Sequence, residues 1–292
     1  VGSTFDNKNV GTGKTVTVNS ITLADGSNGG LAANYSISPG QTTTANVTAK
    51  SLTVSGITSA NKTYDSNTTA ALNTSSVNYG GLISGDTLTG TYSGVFNNAN
   101  VGTGKTVTIT SSYSGADLNN YSITDQASTT ANVTAKALTA TASASNKVYN
   151  GNNTATTTIT FSGLIGSETL GQSVGSTFNN KNVGTGKTVT VNSITLADGS
   201  NGGLAANYSI SAGQTTTAHI SPKSLTVSSI SSSNKIYDSS DAAITTLGLN
   251  GFIGSETLTN TNLSNFDNKN VGSNKDIIVN SITLADGSNG GL

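Results

Sequence analysis

F-N-N-A-N-V-G-T-G-K-T-V-T-I, from Phe96 to Ile109, decides the fold of this chain. Its last part alternates apolar and polar residues, Val107-Thr-Ile109. The same alternation stands at Leu52-Thr-Val54, Tyr121-Ser-Ile123, Ala131-Asn-Val133 and Val189-Thr-Val191. A period of two puts one face of a strand on a core and the other in water. No segment carries the i, i+3, i+4, i+7 stripe over a helix's length. Between the alternating runs lie turn clusters such as Asp198-Gly-Ser-Asn-Gly-Gly203, Asn150-Gly-Asn-Asn153 and Ser84-Gly-Asp86. Gly and Asn accept positive φ, which gives these turns a mechanism.

The first part of the same stretch returns as F-D-N-K-N-V-G-T-G-K at Phe5, F-N-N-K-N-V-G-T-G-K at Phe178 and F-D-N-K-N-V-G-S-N-K at Phe266. N-K-x-Y recurs at Asn61, Asn146 and Asn234, and N-Y-S-I at Asn34, Asn120 and Asn207. Residues 1–50 match residues 174–223 at 44 of 50 positions, so the chain is a tandem array. Boundaries after Lys50, Lys136 and Lys223 give four parts: 1–50 (the closing part of a repeat), 51–136, 137–223, and 224–292 (the opening part of a repeat). The two full units are of domain size, far longer than a solenoid coil. Six or seven short strands in each predict an all-β fold, a tandem array of immunoglobulin-like β-sandwich modules. Asp117, four residues before Tyr121, suits the tyrosine corner of that fold, although Leu31 and Leu204 stand there in the sister units. A β-grasp module is the alternative.

At the joints, T-T-A-N-V-T-A-K-S-L-T-V (residues 43–54) and T-T-A-N-V-T-A-K-A-L-T-A (residues 129–140) run the last strand of one repeat into the first of the next. Flexible Gly/Ser spacers are missing, and Pro222 stiffens the third joint. The reading is an extended rod of beads.

Composition removes whole classes of function. Among 292 residues there is no Cys, Met or Trp and one His, so Cys/His zinc sites and disulfides are excluded and hydrolase triads have little material. Thirteen lysines against fourteen acids leave no basic patch for nucleic acid, and no apolar run is long enough for a membrane helix. The chain starts at Val1 without Met, which suggests a slice of something longer. On that reading the two partial repeats are not stable alone, and Ala32–Lys50 is what the repeat ending at Leu292 lacks.

The combination of N-K-T-Y-D at Asn61, N-K-I-Y-D at Asn234, F-x-N-K-N-V-G-T-G-K, N-Y-S-I and T-T-A-x-[VI]-x-x-K resembles the YDG-type repeat over the whole chain. The second full unit departs with Asn150 in N-K-V-Y-N-G, and Ser66 and Ser239 stand where Gly is usual. The resemblance implies a part of a very large secreted bacterial protein of the filamentous-haemagglutinin kind, with adhesin or stalk architecture and no chemistry.

Several look-alikes are set aside. Gly102-Thr-Gly-Lys-Thr106 resembles the end of a P-loop, but Ala99, Lys8 and Lys181 occupy the position of its first Gly. The loops beginning at Asp25, Asp198 and Asp286 lack the ligand spacing of a calcium loop. Asp86, Glu168 and Glu256 share one position without a recurring second acid, and read as turn or cap residues. Lys62, Asn61 and Asp86 supply the residue types of a Lys–Asn isopeptide crosslink without a sign of proximity. Thr15-Val-Thr17 reads as the polar face of a strand, and His219 as a surface replacement for Asn46 and Asn132. No catalytic, cofactor-binding or metal residue is assigned, and the rod is expected to be indifferent to calcium chelation.

The function expected is that of a structural stalk or filament module of an extracellular bacterial surface protein, projecting a distal region from the cell. Its partners are the neighbouring repeats of the same chain and other copies in a filament. The alternatives are a glycan- or surface-binding repeat acting through avidity and a self-assembling fibre subunit. A glycan platform should repeat an exposed aromatic, yet Tyr79, Tyr92 and Tyr113 occur in one unit only.

Overall fold

The computed structural model describes residues 1–290; the expected end of the fourth repeat at Leu292 lies outside them. The described residues are all-β, and their only helical elements are three-residue 3₁₀ turns such as Leu118–Asn120. The helix that a β-grasp module lays across its sheet is therefore missing among them. Compact contacts divide the chain into two units, residues 1–136 with 206–208, and residues 137–205 with 209 onward.

In the first unit the repeat 51–136 is built on two main sheets, with a short pair of Thr58–Ser59 and Leu72–Asn73 besides. A three-stranded sheet orders Tyr121–Thr124, Lys50–Ser55 and Asn78–Gly80. A five-stranded sheet orders Lys62–Thr63, Ser128–Thr134, Gly102–Ser114, Thr89–Phe96 and Thr69–Ala70. Between them Leu52, Val54, Ile57, Ile109 and Tyr121 form the core, lined by Tyr79, Tyr92 and Tyr113. The alternation holds residue by residue: Val107 and Ile109 are buried, while Thr106, Thr108 and Thr110 face solvent.

In the second unit, Leu170–Phe178, Gly184–Asp198, Thr215–Ser221 and Lys147–Val148 form one sheet, and Thr139–Ala144 pairs with Thr157–Ser162. Phe178, Val189 and Ile220 lead its core. Some strand pairings depart from the antiparallel pattern of a simple hairpin sandwich. Lys62–Thr63 and Lys147–Val148 each run parallel to the last strand of their repeat, and Lys50–Ser55 runs parallel to Tyr121–Thr124.

The P-loop look-alike is a β-bulge. Register slips between Gly102 and Lys105, Gly11 and Lys14, and Gly184 and Lys187. The middle glycines, Gly13, Gly104 and Gly186, sit at φ of 61°, 58° and 58°, as a bulge of this type requires. Their amides donate to Asn46 Oδ1, Asn132 Oδ1 and His219 Nδ1 at 2.9, 2.7 and 2.9 Å. His219 thus does the work of the asparagine it replaces.

The N-K-x-Y segment carries a second device. Lys62 Nζ donates to Asn67 O, Asn67 Oδ1 and Thr69 O at 3.0, 2.9 and 3.2 Å, closing a cage around the turn that follows. Lys147 repeats this with Asn152 O, Asn152 Oδ1 and Thr154 O. Each ammonium also lies over a buried phenyl ring, Lys62 over Phe96 at 5.8 Å and Lys147 over Phe178 at 5.5 Å. The caged turn needs one residue at positive φ: Ser66 at 63°, Gly151 at 80° and Ser239 at 63°. This is the physical reason for glycine at that position, because an L-residue there clashes with its own backbone.

Ser66→Gly should therefore stabilise the chain by about 0.5–1 kcal/mol, after the extra unfolded-state entropy of glycine is set against the relieved strain. Urea unfolding should show a higher midpoint; a lower one would show that Ser66 makes a contact outweighing its strain.

Candidate functional site: the joint between repeats

The residues that recur most faithfully meet at the boundaries between repeats. They begin in the F-x-N-K-N-V-G loop. Its first Asn folds an Asx turn: Asn7 Oδ1 accepts from Asn9 N, Asn98 Oδ1 from Asn100 N and Asn180 Oδ1 from Asn182 N, each at 3.0 Å. The bulge lysine then pins that Asn, with Lys105 and Lys187 donating to Asn98 and Asn180 Oδ1 at 2.6 Å, and Lys14 to Asn7. The turn leaves its central residue, Lys8, Ala99, Lys181 or Lys269, at the tip.

Within the first unit, Lys8 at that tip reaches the next repeat. Its Nζ lies 3.0 Å from Asp86 and 2.9 Å from Asp117. Beside it Val10 N donates to Asn120 Oδ1 at 2.9 Å, and Asn120 Nδ2 donates to Asn9 Oδ1 at 3.2 Å. The receiving face is organised by the buried Tyr121. Its hydroxyl donates to Asp86 Oδ2 at 2.7 Å and accepts from Ile83 N at 3.0 Å. Asp117 Oδ2 accepts from Thr87 N at 3.0 Å. The tyrosine-corner expectation thus finds its Tyr buried and bonded upstream, while Asp117 serves the joint.

Also within the first unit, Val101 N donates to Asn207 Oδ1 at 2.9 Å, and Asn207 Nδ2 to Asn100 Oδ1 at 3.1 Å, repeating the Val10–Asn120 pattern. Tyr64 and Tyr208 meet edge-to-face at 5.5 Å.

Within the second unit, Lys181 Nζ lies 3.0 Å from Glu256, which also accepts from the Tyr149 hydroxyl at 2.5 Å. Lys181 stands over the Tyr149 ring at 5.9 Å. Gly151 packs so closely on Ile253 that an added Cβ would come within 2.7 Å of its Cγ2. Tyr149 and Gly151, the tyrosine of N-K-V-Y and the glycine two residues on, are therefore joint residues too. A cavity of about 510 Å³ opens here, lined by Tyr149, Val183, Phe252, Ile253 and Glu256. It lies over the counterparts of Ile83 and Asp86, which in the earlier repeat hold the hydroxyl of Tyr121.

Electrostatics follow the geometry. Hydrogen bonds from Tyr121 and then Lys8 hold the Asp86 carboxyl below its ordinary 3.8. The Thr87 amide and then Lys8 do the same for Asp117, and Tyr149 and then Lys181 for Glu256. The two lysines are pushed up in return, Lys8 by Asp117 first and Lys181 by Glu256 first.

The recurrent acids sit in turns, Asp86 N donating to Ile83 O and Glu256 N to Ile253 O, and the carboxylates of Asp86 and Glu256 also accept from the preceding repeat. The isopeptide triplet is not brought together. Lys62 pairs with Asp65 at 2.6 Å, Asn61 accepts from Asn132 N at 2.8 Å, and Asp86 faces Lys8. Asp25 and Asp198 close their glycine-rich loops by accepting from Ala32 N and Ala205 N at 2.7 Å. Among the described residues no group of three or more His, Cys, Asp or Glu is placed to hold a metal. Nor is any helix among them long and apolar enough to cross a membrane. Tyr79, Tyr92 and Tyr113 are half-buried against the core, with Tyr79 and Tyr92 hydroxyls 3.0 Å apart.

Four segments, residues 1–45, 48–131, 134–218 and 221–291, match the YDG domain. The chain belongs to the YDG domain family. No curated protein and no solved structure matches it. The signature tyrosine, its aspartate or asparagine and the glycine position of YDG repeats are, in this chain, the caged turn and the joint contact described above.

Because the joint carboxyls titrate below their unfolded values, the stability they add is complete above about pH 4.5 and is lost as pH falls through the folded pKa. The double variant Asp86→Asn, Glu256→Gln should have a lower urea midpoint than the parent at pH 7. That gap should narrow steadily between pH 5 and pH 3. A gap independent of pH would show that the carboxylate charges do not support the joints.

Proposed function

We propose that this chain is a structural stalk module of a large extracellular bacterial adhesin-like protein, holding a distal region away from the cell. One observation carries the reading: the residues that define the repeat are occupied in closing it and in gripping the next one. Lys8 is committed to Asp86 and Asp117, and Lys181 and Tyr149 to Glu256. A ligand-binding repeat would instead keep its recurring side chains unpaired and accessible.

The joints support the same reading. Only Thr48 and Ala49 separate the strand Thr42–Val47 from Lys50–Ser55, and only residues 222–225 separate Thr215–Ser221 from Thr226–Ser232. Linkers this short, bridged by side chains on both sides, restrict bending. The extracellular setting comes from the resemblance to secreted adhesin repeats. Small-angle scattering should give a skewed pair-distance distribution with a long tail, and Lys8→Glu with Lys181→Glu should shorten that tail. A symmetric, compact distribution for the parent chain would overturn the stalk reading.

A further inference from the structure

In both full repeats the N-K-x-Y segment lies parallel to the last strand of its own repeat. Lys62 stands opposite Val133 and Thr63 opposite Thr134; Lys147 stands opposite Ile220 and Val148 opposite Ser221. Two residues are too few to hold a strand pair, and side chains lengthen the ladder at both ends. At one end Asn132 N donates to Asn61 Oδ1 and His219 N to Asn146 Oδ1, both at 2.8 Å. At the other, Tyr64 N donates to Thr134 O and Tyr149 N to Ser221 O, both at 2.9 Å. In the repeat 51–136 a second parallel pair sets Lys50, Ser51, Leu52 and Thr53 opposite Tyr121, Ser122, Ile123 and Thr124.

Direction decides how such a pair responds to tension. The chain enters a repeat through its first strands and leaves through its last. A pull on the two ends therefore draws the N-K-x-Y strand from its N-terminal side and the last strand from its C-terminal side. In a parallel pair those points lie at opposite ends, so the strands must slide and every bond between them is strained together. In an antiparallel pair the same two points lie at one end, and the bonds open one after another. The pairings of Thr89–Phe96 with Gly102–Ser114, of Leu170–Phe178 with Gly184–Asp198 and of Thr139–Ala144 with Thr157–Ser162 are antiparallel.

Sliding is further opposed on both sides of the parallel pair. Val133 and Ile220 are buried at 2% and 1% exposure, and Ile220 shares a core cluster with Phe178, whose ring Lys147 covers. Lys62 and Lys147 are each also tied to the carbonyls of the following turn, so the strand cannot shift without breaking its cage.

We propose that the parallel pairing of N-K-x-Y with the last strand is a tension clamp that makes each full repeat resist end-to-end pulling far better than pulling in other directions. The biological purpose of the clamp rests on the stalk reading; its geometry does not.

The test is single-molecule force spectroscopy on the full chain carrying Thr63→Cys and Thr134→Cys. Both positions are exposed and the chain has no other cysteine. With the thiols kept reduced, one variant is pulled first by its ends and then by the two cysteines. Folded-state stability is the same in both geometries, and only the barrier along the pull differs. The end-to-end unfolding force of the repeat should exceed the cysteine-to-cysteine force by about twofold or more. Equal forces, or a weaker end-to-end force, overturn the proposal. If the cysteine variant does not fold, Asn61→Ala with Asn146→Ala, pulled by the ends, replaces it; a lowered force supports the clamp and an unchanged force overturns it. A missing directional difference beside an extended scattering profile defeats the clamp and leaves the stalk. A compact profile with the difference intact does the reverse.

Discussion

The side-chain carbonyl of Asn61, accepting the backbone amide of Asn132, and its counterpart between Asn146 and His219, close the two full repeats. The rest of each repeat depends on that closure because the chain has little else to close with. It is 33% hydrophobic and 5% aromatic, and each repeat buries one phenylalanine, Phe96 or Phe178, with a handful of Val, Ile and Leu. Cores this small leave short strands unable to hold themselves by burial alone. Asparagine and lysine side chains take over, extending ladders, capping turns and filling the outward side of bulges. A sequence so poor in charge and so rich in Asn, Thr and Ser is the expected result of building sheets this way.

A division of labour within the signature follows. In N-K-x-Y the Asn lengthens the closing ladder, the Lys cages the next turn over a phenyl ring, and the Tyr of residues 146–149 leaves the repeat to reach Glu256. In F-x-N-K-N-V-G the first Asn shapes the loop, the bulge lysine pins it, and the tip lysine crosses to the next repeat. Bead and joint share one set of residues, so a change that loosens the loop weakens both. Ala99 is the exception at the tip position, and its loop keeps the Asx turn and the Asn100–Asn207 bond without the ion pair.

Much of this was legible in the sequence. Period-two alternation located the long strands, and the buried and exposed positions of residues 106–110 follow it without exception. Glycine-rich turns and the repeat phase were equally plain. Pairing direction was not, because a two-residue strand such as Lys62–Thr63 carries no periodicity. The joint was hidden for another reason. Lys8 and Asp86 are 78 residues apart and belong to different repeats, so aligning each repeat with itself places them at unrelated positions. Reading each loop lysine against the acid of the following repeat would have exposed the pair. Tyr149 and Glu256 fall under the same rule.

Signature residues of one repeat are energetically coupled to the next, and a double-mutant cycle on Lys181 and Glu256 measures that coupling. Urea unfolding of the parent, Lys181→Ala, Glu256→Ala and the double variant gives the coupling term. The double variant should lose clearly less stability than the sum of the single changes, and the shortfall should shrink at high salt. Strict additivity at low salt would contradict it, leaving the joint a contact of geometry without energetic consequence.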